Sequence, residues 1–293
     1  MNRTAQAAFL VLVLFGCASA GVAAKHPPSL GYTIPNSQTR IFPVDDQGRQ
    51  YLIYVGLPDS YGKDPSRRYP VVYVTDGYWD FPKITNMEGG LSYDRVVPEF
   101  ITIGLGYAGS SPNYGDLRRW ELSPAPLGDH GQASGHASDF LKTLKTRIIP
   151  FVDAEYRTDP SFRVLAGTSL GGLFTLYTMF NSPGLFQAYI AGSPAVTVGD
   201  DWIFRDEDRF ARSGNILAGR LFMTVGSNES PAYLNGIIRF NQRLASRRSP
   251  TFDYNFHIVE GERHGGTPFE TYTRGLRFAL LPRAPETGPA PGQ

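Results

Sequence analysis

The stretch RVLAGTSLGGLFTLYTMF, residues 163–180, decides how the rest of the chain is read. Arg163 to Ala166 is a short apolar run of the kind that forms a strand buried on both faces. Leu170 to Phe180 is apolar at helical spacing and is closed by Asn181-Ser182-Pro183-Gly184, a helix stop. The residues between, Gly167-Thr168-Ser169-Leu170-Gly171, fit G-x-S-x-G. A strand before and a helix after is the setting in which this pattern makes a sharp elbow that presents a serine hydroxyl. The glycines are needed because a Cβ there would collide with the neighbouring strand and helix. The helix behind Ser169 supplies oriented N–H groups and a positive dipole end, which stabilise developing negative charge. A glycine-rich turn with a serine acting only as a helix cap is the alternative without chemistry.

A serine is a poor nucleophile without a base. Of five histidines, His26 precedes the folded region, His130 and His136 lie in a long irregular stretch, and His257 sits inside an alternating strand, which suits a structural role. His264, in Gly261-Glu262-Arg263-His264-Gly265-Gly266, falls between that strand and the last helix. This gives the chain order Ser, acid, His of an α/β-hydrolase, and His264 is the expected base. The acid should follow a strand between Ser169 and His264. Leu221 to Val225 is such a strand, and Glu229 closely follows it, so Glu229 is expected to orient His264. Asp200, Asp201, Asp206 and Asp208 compete, but their acidic-aromatic stretch (GDDWIFRDEDRF) reads as a solvated helix or loop. A Ser–His pair without a carboxylate is the remaining arrangement. The oxyanion donors are expected to be the backbone N–H of Leu170 and that of Tyr78, with Gly77 making the turn after the Val71 to Thr75 strand. A plain strand-ending Asp-Gly turn is the alternative.

Outward from this centre, Thr39 to Val44 and Arg49 to Leu57 alternate and are split by Asp45-Asp46-Gln47-Gly48, a hairpin signal. Pro70 to Thr75, Phe100 to Leu105, Ala188 to Ala191, Arg220 to Val225 and Phe252 to Val259 read as strands. Ala137 to Ile149, Ala232 to Ala245 and Phe269 to Leu281 read as helices. Gly106 to Gly135 has no sustained periodicity and reads as a long loop. Strands alternating with helices after a hairpin predict an α/β fold. Its central sheet should be mostly parallel with an antiparallel N-terminal hairpin edge, and helices should cover both faces.

The chain has 293 residues, of which 41% are hydrophobic and 19% charged, which excludes a disordered protein. With 28 basic and 27 acidic groups there is no bulk charge to draw it to nucleic acid. The one cysteine, Cys17, excludes an internal disulfide and a zinc finger. Arg3, the apolar run Phe9 to Phe15 and the small residues after it form a secretory signal pattern over residues 1–24. Val22-Ala23-Ala24 or Ala18-Ser19-Ala20 would suit a signal peptidase. Leu14-Phe15-Gly16-Cys17 would suit lipidation of Cys17, the only expected link to a membrane. Residues 25–37 read as a linker, 38–281 as the folded domain, and 282–293 as a disordered tail.

Together YPVVYVTDG (69–77), FITIGLG (100–106), RRWELSP (118–124), VLAGTSLGG (164–172) and GERHGG (261–266) resemble the esterase D-like family of α/β hydrolases. That family includes periplasmic siderophore trilactone hydrolases and feruloyl esterases. The family's usual GHSLGG is GTSLGG here, with Thr168 in place of histidine. The resemblance implies hydrolysis of a small-molecule ester, and it points to Arg118 or Arg119 as substrate-holding residues. Tyr78, Trp79, Tyr107, Tyr114, Trp120 and Trp202 could form an aromatic cleft, with Trp79 against the substrate, or could be core. The expected reaction is Ser169 attack on an ester carbonyl, with no metal or organic cofactor. The alternatives are a feruloyl or acetyl carbohydrate esterase, an acyltransferase, and a catalytically silent surface binding protein.

Overall fold

The computed structural model describes residues 32–43, 48–128, 134–247 and 249–281. The expected leader, the hairpin turn at Asp45-Asp46, His130 and the tail from Pro282 lie outside them. The hairpin strands are β1 (Ser37–Phe42) and β2 (Tyr51–Gly56). There follow β3 (Tyr69–Val74), α1 (Gly77–Tyr93), β4 (Ile101–Tyr107), α2 (Tyr114–Leu122), α3 (Ala137–Thr143), α4 (Ile149–Glu155) and β5 (Thr158–Thr168). The chain ends with α5 (Leu170–Asn181), β6 (Ala188–Gly192), α6 (Val198–Arg212), β7 (Gly219–Gly226), α7 (Pro231–Ala245), β8 (Phe252–Val259) and α8 (Thr267–Leu280). The strands form one eight-stranded sheet in the order β1-β2-β4-β3-β5-β6-β7-β8. β1 and β2, and β2 and β4, pair antiparallel; every other pairing is parallel. This is the expected α/β-hydrolase architecture.

The near-continuous apolar strands follow from a sheet covered on both sides. In β3, Val71 and Tyr73 face one apolar cluster and Val72 and Val74 the other. Phe81 and Ile84 of α1 and Tyr272 and Leu276 of α8 belong to the second cluster. Phe140 of α3, Phe174 of α5 and Phe240 of α7 belong to the first. Among the described residues no helix is long and apolar enough to cross a membrane.

Four features depart from the sequence reading. α1 went unread because Pro82, Gly89 and Gly90 lower its helical signal and no side chain caps it. The expected loop 106–135 contains α2, capped by Asn113, whose side chain accepts from the Asp116 N–H. The expected helix from Ala137 continues beyond Ile149 through a π turn (Leu144–Ile148) into α4. Pro150 has no N–H to give to the preceding turn, and the wider turn accommodates it. Lastly, the stretch read as solvated is α6, in which Asp206 and Glu207 are buried. Glu207 is compensated by Arg243 and Arg247, and Asp206 by Arg209.

The bend after β5 is held by close packing. A Cβ on Gly167 would stand 2.4 Å from Thr75 Oγ1, and one on Gly171 2.2 Å from the same atom. Gly171→Ala should therefore lower stability by about 2 kcal/mol through overpacking. In urea this reads as a lower midpoint at unchanged m-value. Thr75→Ala in the same chain should return part of the loss; equal losses in the single and double variants would count against this contact.

Candidate active site

Ser169 sits between β5 and α5 with φ 59° and ψ −121°, a conformation that costs a non-glycine residue about 1–3 kcal/mol. Three backbone hydrogen bonds over-determine it. The Ser169 N–H donates to Gly192 O (2.9 Å), and its carbonyl accepts from Leu173 N (2.9 Å) and Ala195 N (3.1 Å). No side chain caps α5, so the Leu170 N–H at its first turn has no side-chain partner there. The N-terminus of α1 comes to the same place: Thr75 N donates to Ala166 O, and Asp76 turns the chain with φ 52°. The Trp79 and Asp80 N–H groups return to Asp76 O, and none of the described residues accepts from Tyr78 N–H. Two helix N-termini thus flank the bend, and both carry free donors and positive dipole ends.

His264 follows β8 and Glu229 follows β7. Their loops are joined by Asn228 N to Glu262 O (2.9 Å) and by Asn228 Nδ2 to Gly261 O (2.9 Å). His264 Nδ1 lies 3.0 and 3.2 Å from the two Glu229 carboxylate oxygens. The Glu229 side chain is 4% exposed and the His264 side chain 47%, so the carboxylate is sheltered behind an accessible imidazole. Among the described residues the Ser169 hydroxyl makes no hydrogen bond to His264. Tyr233, on α7, neighbours both. Its hydroxyl donates to Ser193 O (2.7 Å), and its ring meets His264 edge-on at 5.2 Å. Burial pushes its phenol well above the usual range, while the nearby Ser169 hydroxyl favours the ionised form. It therefore stays a donor at neutral pH. Tyr233 carried no local sequence signal and was not anticipated.

An open cavity of about 580 Å3 adjoins His264, lined by Glu229, Pro231, Tyr233 and Arg263 among others. A larger one, about 710 Å3 and lined by Arg67, Glu88 and Glu99, shares no residue with it.

Arg118 lies on α2 and reaches the start of α1. Its Nε and Nη2 form a bidentate pair with Asp76 at 2.9 and 2.8 Å. Burial pushes the Asp76 carboxyl up, against the opposing pull of Arg118. Arg119 is paired with Asp116 at 2.5 Å. Trp79 is exposed and gathers with Tyr78 and Tyr114, whose rings lie 4.7 Å apart; Tyr107 joins from β4. Trp120 instead stacks on His136 at 3.5 Å, and Trp202 bonds Asp206 within α6. Thr168, the departure from GHSLGG, donates to Asp80 Oδ2 (3.2 Å). Asp80 is 3% exposed and also takes Lys83 (2.6 Å) and the Tyr272 hydroxyl. It thereby ties α1, the bend and α8 together. His257 bonds Glu270 at 2.8 Å, linking β8 to α8. Among the described residues no group of three or more His, Cys, Asp or Glu converges to hold a metal.

The family described as "Putative esterase" matches residues 46–264. The ferri-bacillibactin esterase BesA of Bacillus subtilis is 27% identical over 273 residues, covering 88% of this chain and 94% of that one. The apo-salmochelin esterase of Escherichia coli O6:H1 is 27% identical over 164 residues, 53% of this chain and half of that one. The BES protein of Bacillus cereus superposes with a TM-score of 0.78 at 24% identity, over 87% of this chain and all of the other.

The Arg118–Asp76 pair makes a prediction with a definite sign. A carboxyl raised above its unfolded value holds its proton longer in the folded state, so its contribution to stability falls as pH rises through the folded value. Arg118 limits that rise. Arg118→Met should cost about 3–5 kcal/mol at pH 8, where the buried carboxyl must either stay charged without its partner or take up a proton against the pH, and less as the pH is lowered to 5 and that proton comes more cheaply. Adding Asp76→Asn should abolish the difference. Urea unfolding at both pH values decides it; a pH-independent loss would refute the assignment.

Proposed function

Because the chain belongs to this esterase family and is an enzyme that hydrolyses esters, we propose that it acts by a serine acyl-enzyme mechanism on a siderophore-type ester. The observation that carries this is the His264–Glu229 pair, displayed at the same end of the sheet as the Ser169 bend. Ser169 is the nucleophile. His264 takes its proton through Nε2, and Glu229 holds the imidazole in the required tautomer and stabilises its charged form. The Leu170 and Tyr78 N–H groups receive the oxyanion. His264 gives that proton to the departing alcohol as the ester C–O bond breaks and the acyl-Ser169 forms. Water then attacks the acyl carbonyl while His264 takes its proton, and that proton returns to the Ser169 oxygen as the acid leaves. Closing of the Ser169–His264 hydrogen bond belongs to the substrate complex, as catalytic hydrogen bonds often tighten only there.

The siderophore class is supported by what the two curated relatives are named for and by the exposed Tyr78–Trp79–Tyr114 cluster, whose faces suit aromatic acyl groups. In this reading Arg118 and Arg119 act near the substrate as parts of ion pairs, and Trp79 packs against it. Export is proposed on the apolar run Phe9 to Phe15 and the small residues after it.

Ser169→Ala should lower ester turnover by about 10^4-fold or more, and Glu229→Gln by about 10^2–10^4-fold, with the fold intact by circular dichroism. A fluorophosphonate should label the wild type at Ser169 and nowhere else. Labelling at another residue, or full activity in Ser169→Ala, would end the serine reading. Among a trilactone siderophore, a feruloyl sugar and p-nitrophenyl acetate, the trilactone should be preferred by about 100-fold, or 2.7 kcal/mol. A feruloyl preference would move the substrate assignment.

A further inference from the structure

Basic side chains around the site differ in whether their charge is spent. Arg118 is neutralised by Asp76, Arg119 by Asp116, and Lys83 by Asp80. Arg263 is the exception. It directly precedes His264 and lines the 580 Å3 cavity with Tyr233 and Pro231. It is exposed, and its side chain forms no hydrogen bond or ion pair with any described residue. The one carboxylate in that lining, Glu229, is sheltered and turned onto His264 Nδ1. The cavity beside the proposed base therefore presents an uncompensated guanidinium, a group charged at every working pH and shaped to grip a carboxylate or phenolate.

Resting on the serine-esterase reading, we propose that Arg263 determines specificity by binding an anionic group carried by the ester substrate. Arg263 and His264 line the same cavity, so an anion held by the guanidinium would sit beside the proposed base. A neutral ester gains nothing from it.

Two matched pairs of esters test this. Mono-p-nitrophenyl adipate and its methyl ester differ by a charge on the acyl side. 4-Acetoxybenzoate and its methyl ester differ by a charge on the leaving group. The readout is the ratio of kcat/KM for the charged member to that for the neutral one. Arg263→Ala should lower this ratio about fivefold in at least one pair, equivalent to about 1 kcal/mol, the range of a partly exposed ion pair. The pair that responds tells on which side of the ester the anion lies. Arg263→Lys should keep part of the ratio, and added salt should compress it in wild type but not in Arg263→Ala. Arg277→Ala, an exposed change on α8, controls for net charge and should leave the ratio alone. An unchanged ratio in both pairs for Arg263→Ala overturns the proposal. Failure of the serine reading shows separately, as turnover of all four esters by Ser169→Ala.

Discussion

A serine held at φ 59° and ψ −121° stands where an L-residue does not rest of its own accord, and the surrounding structure has to keep it there. It is kept by three backbone hydrogen bonds and by two glycines that let Thr75 approach to within the space of a missing Cβ. Everything proposed for the chemistry descends from this constraint. The bend leaves the first turn of α5 without a side-chain cap and lies beside the end of β3. The second helix N-terminus arrives at the bend because β3 and β5 are parallel neighbours, so that Val74 pairs with Ala166.

Two aspartates one helical turn apart fasten that second terminus. Asp76 is clamped by Arg118 from α2, and Asp80 by Thr168 beside Ser169, Lys83 on its own helix and Tyr272 from α8. Burying two carboxylates so close together is costly unless each is compensated, and each is. The arrangement also accounts for Thr168. With a hydroxyl in place of the family's imidazole, this position joins a buried polar network centred on a carboxylate rather than presenting a ring.

Much of this was legible in the sequence, and the limits have a physical pattern. The bend was readable because its requirements are local: glycine, serine and glycine at fixed spacing between a strand and a helix. Glu229 and His264 were readable as residues that follow strands in chain order, and the structure brings them within hydrogen-bond distance. The parts that stayed hidden depend on distant partners. Tyr272 meets Asp80 across 192 residues, and Glu207 finds its compensating arginines 36 and 40 residues downstream, so its stretch read as solvated. α1 stayed hidden for a different reason. Its packing on the sheet overrides a proline and two glycines that argue against a helix.

The sheet order carries one more implication. β8 is the outermost strand on its side, paired only with β7, and the loop that bears His264 hangs from its end. Edge strands open more readily than central ones. The proposed base would therefore be the first member of the triad to leave, while Ser169 stays anchored in the middle of the sheet. Fraying at this border would silence the molecule long before the core melts. The His257–Glu270 bond, which ties the border to α8, then acts as a rivet on working lifetime rather than on overall folding.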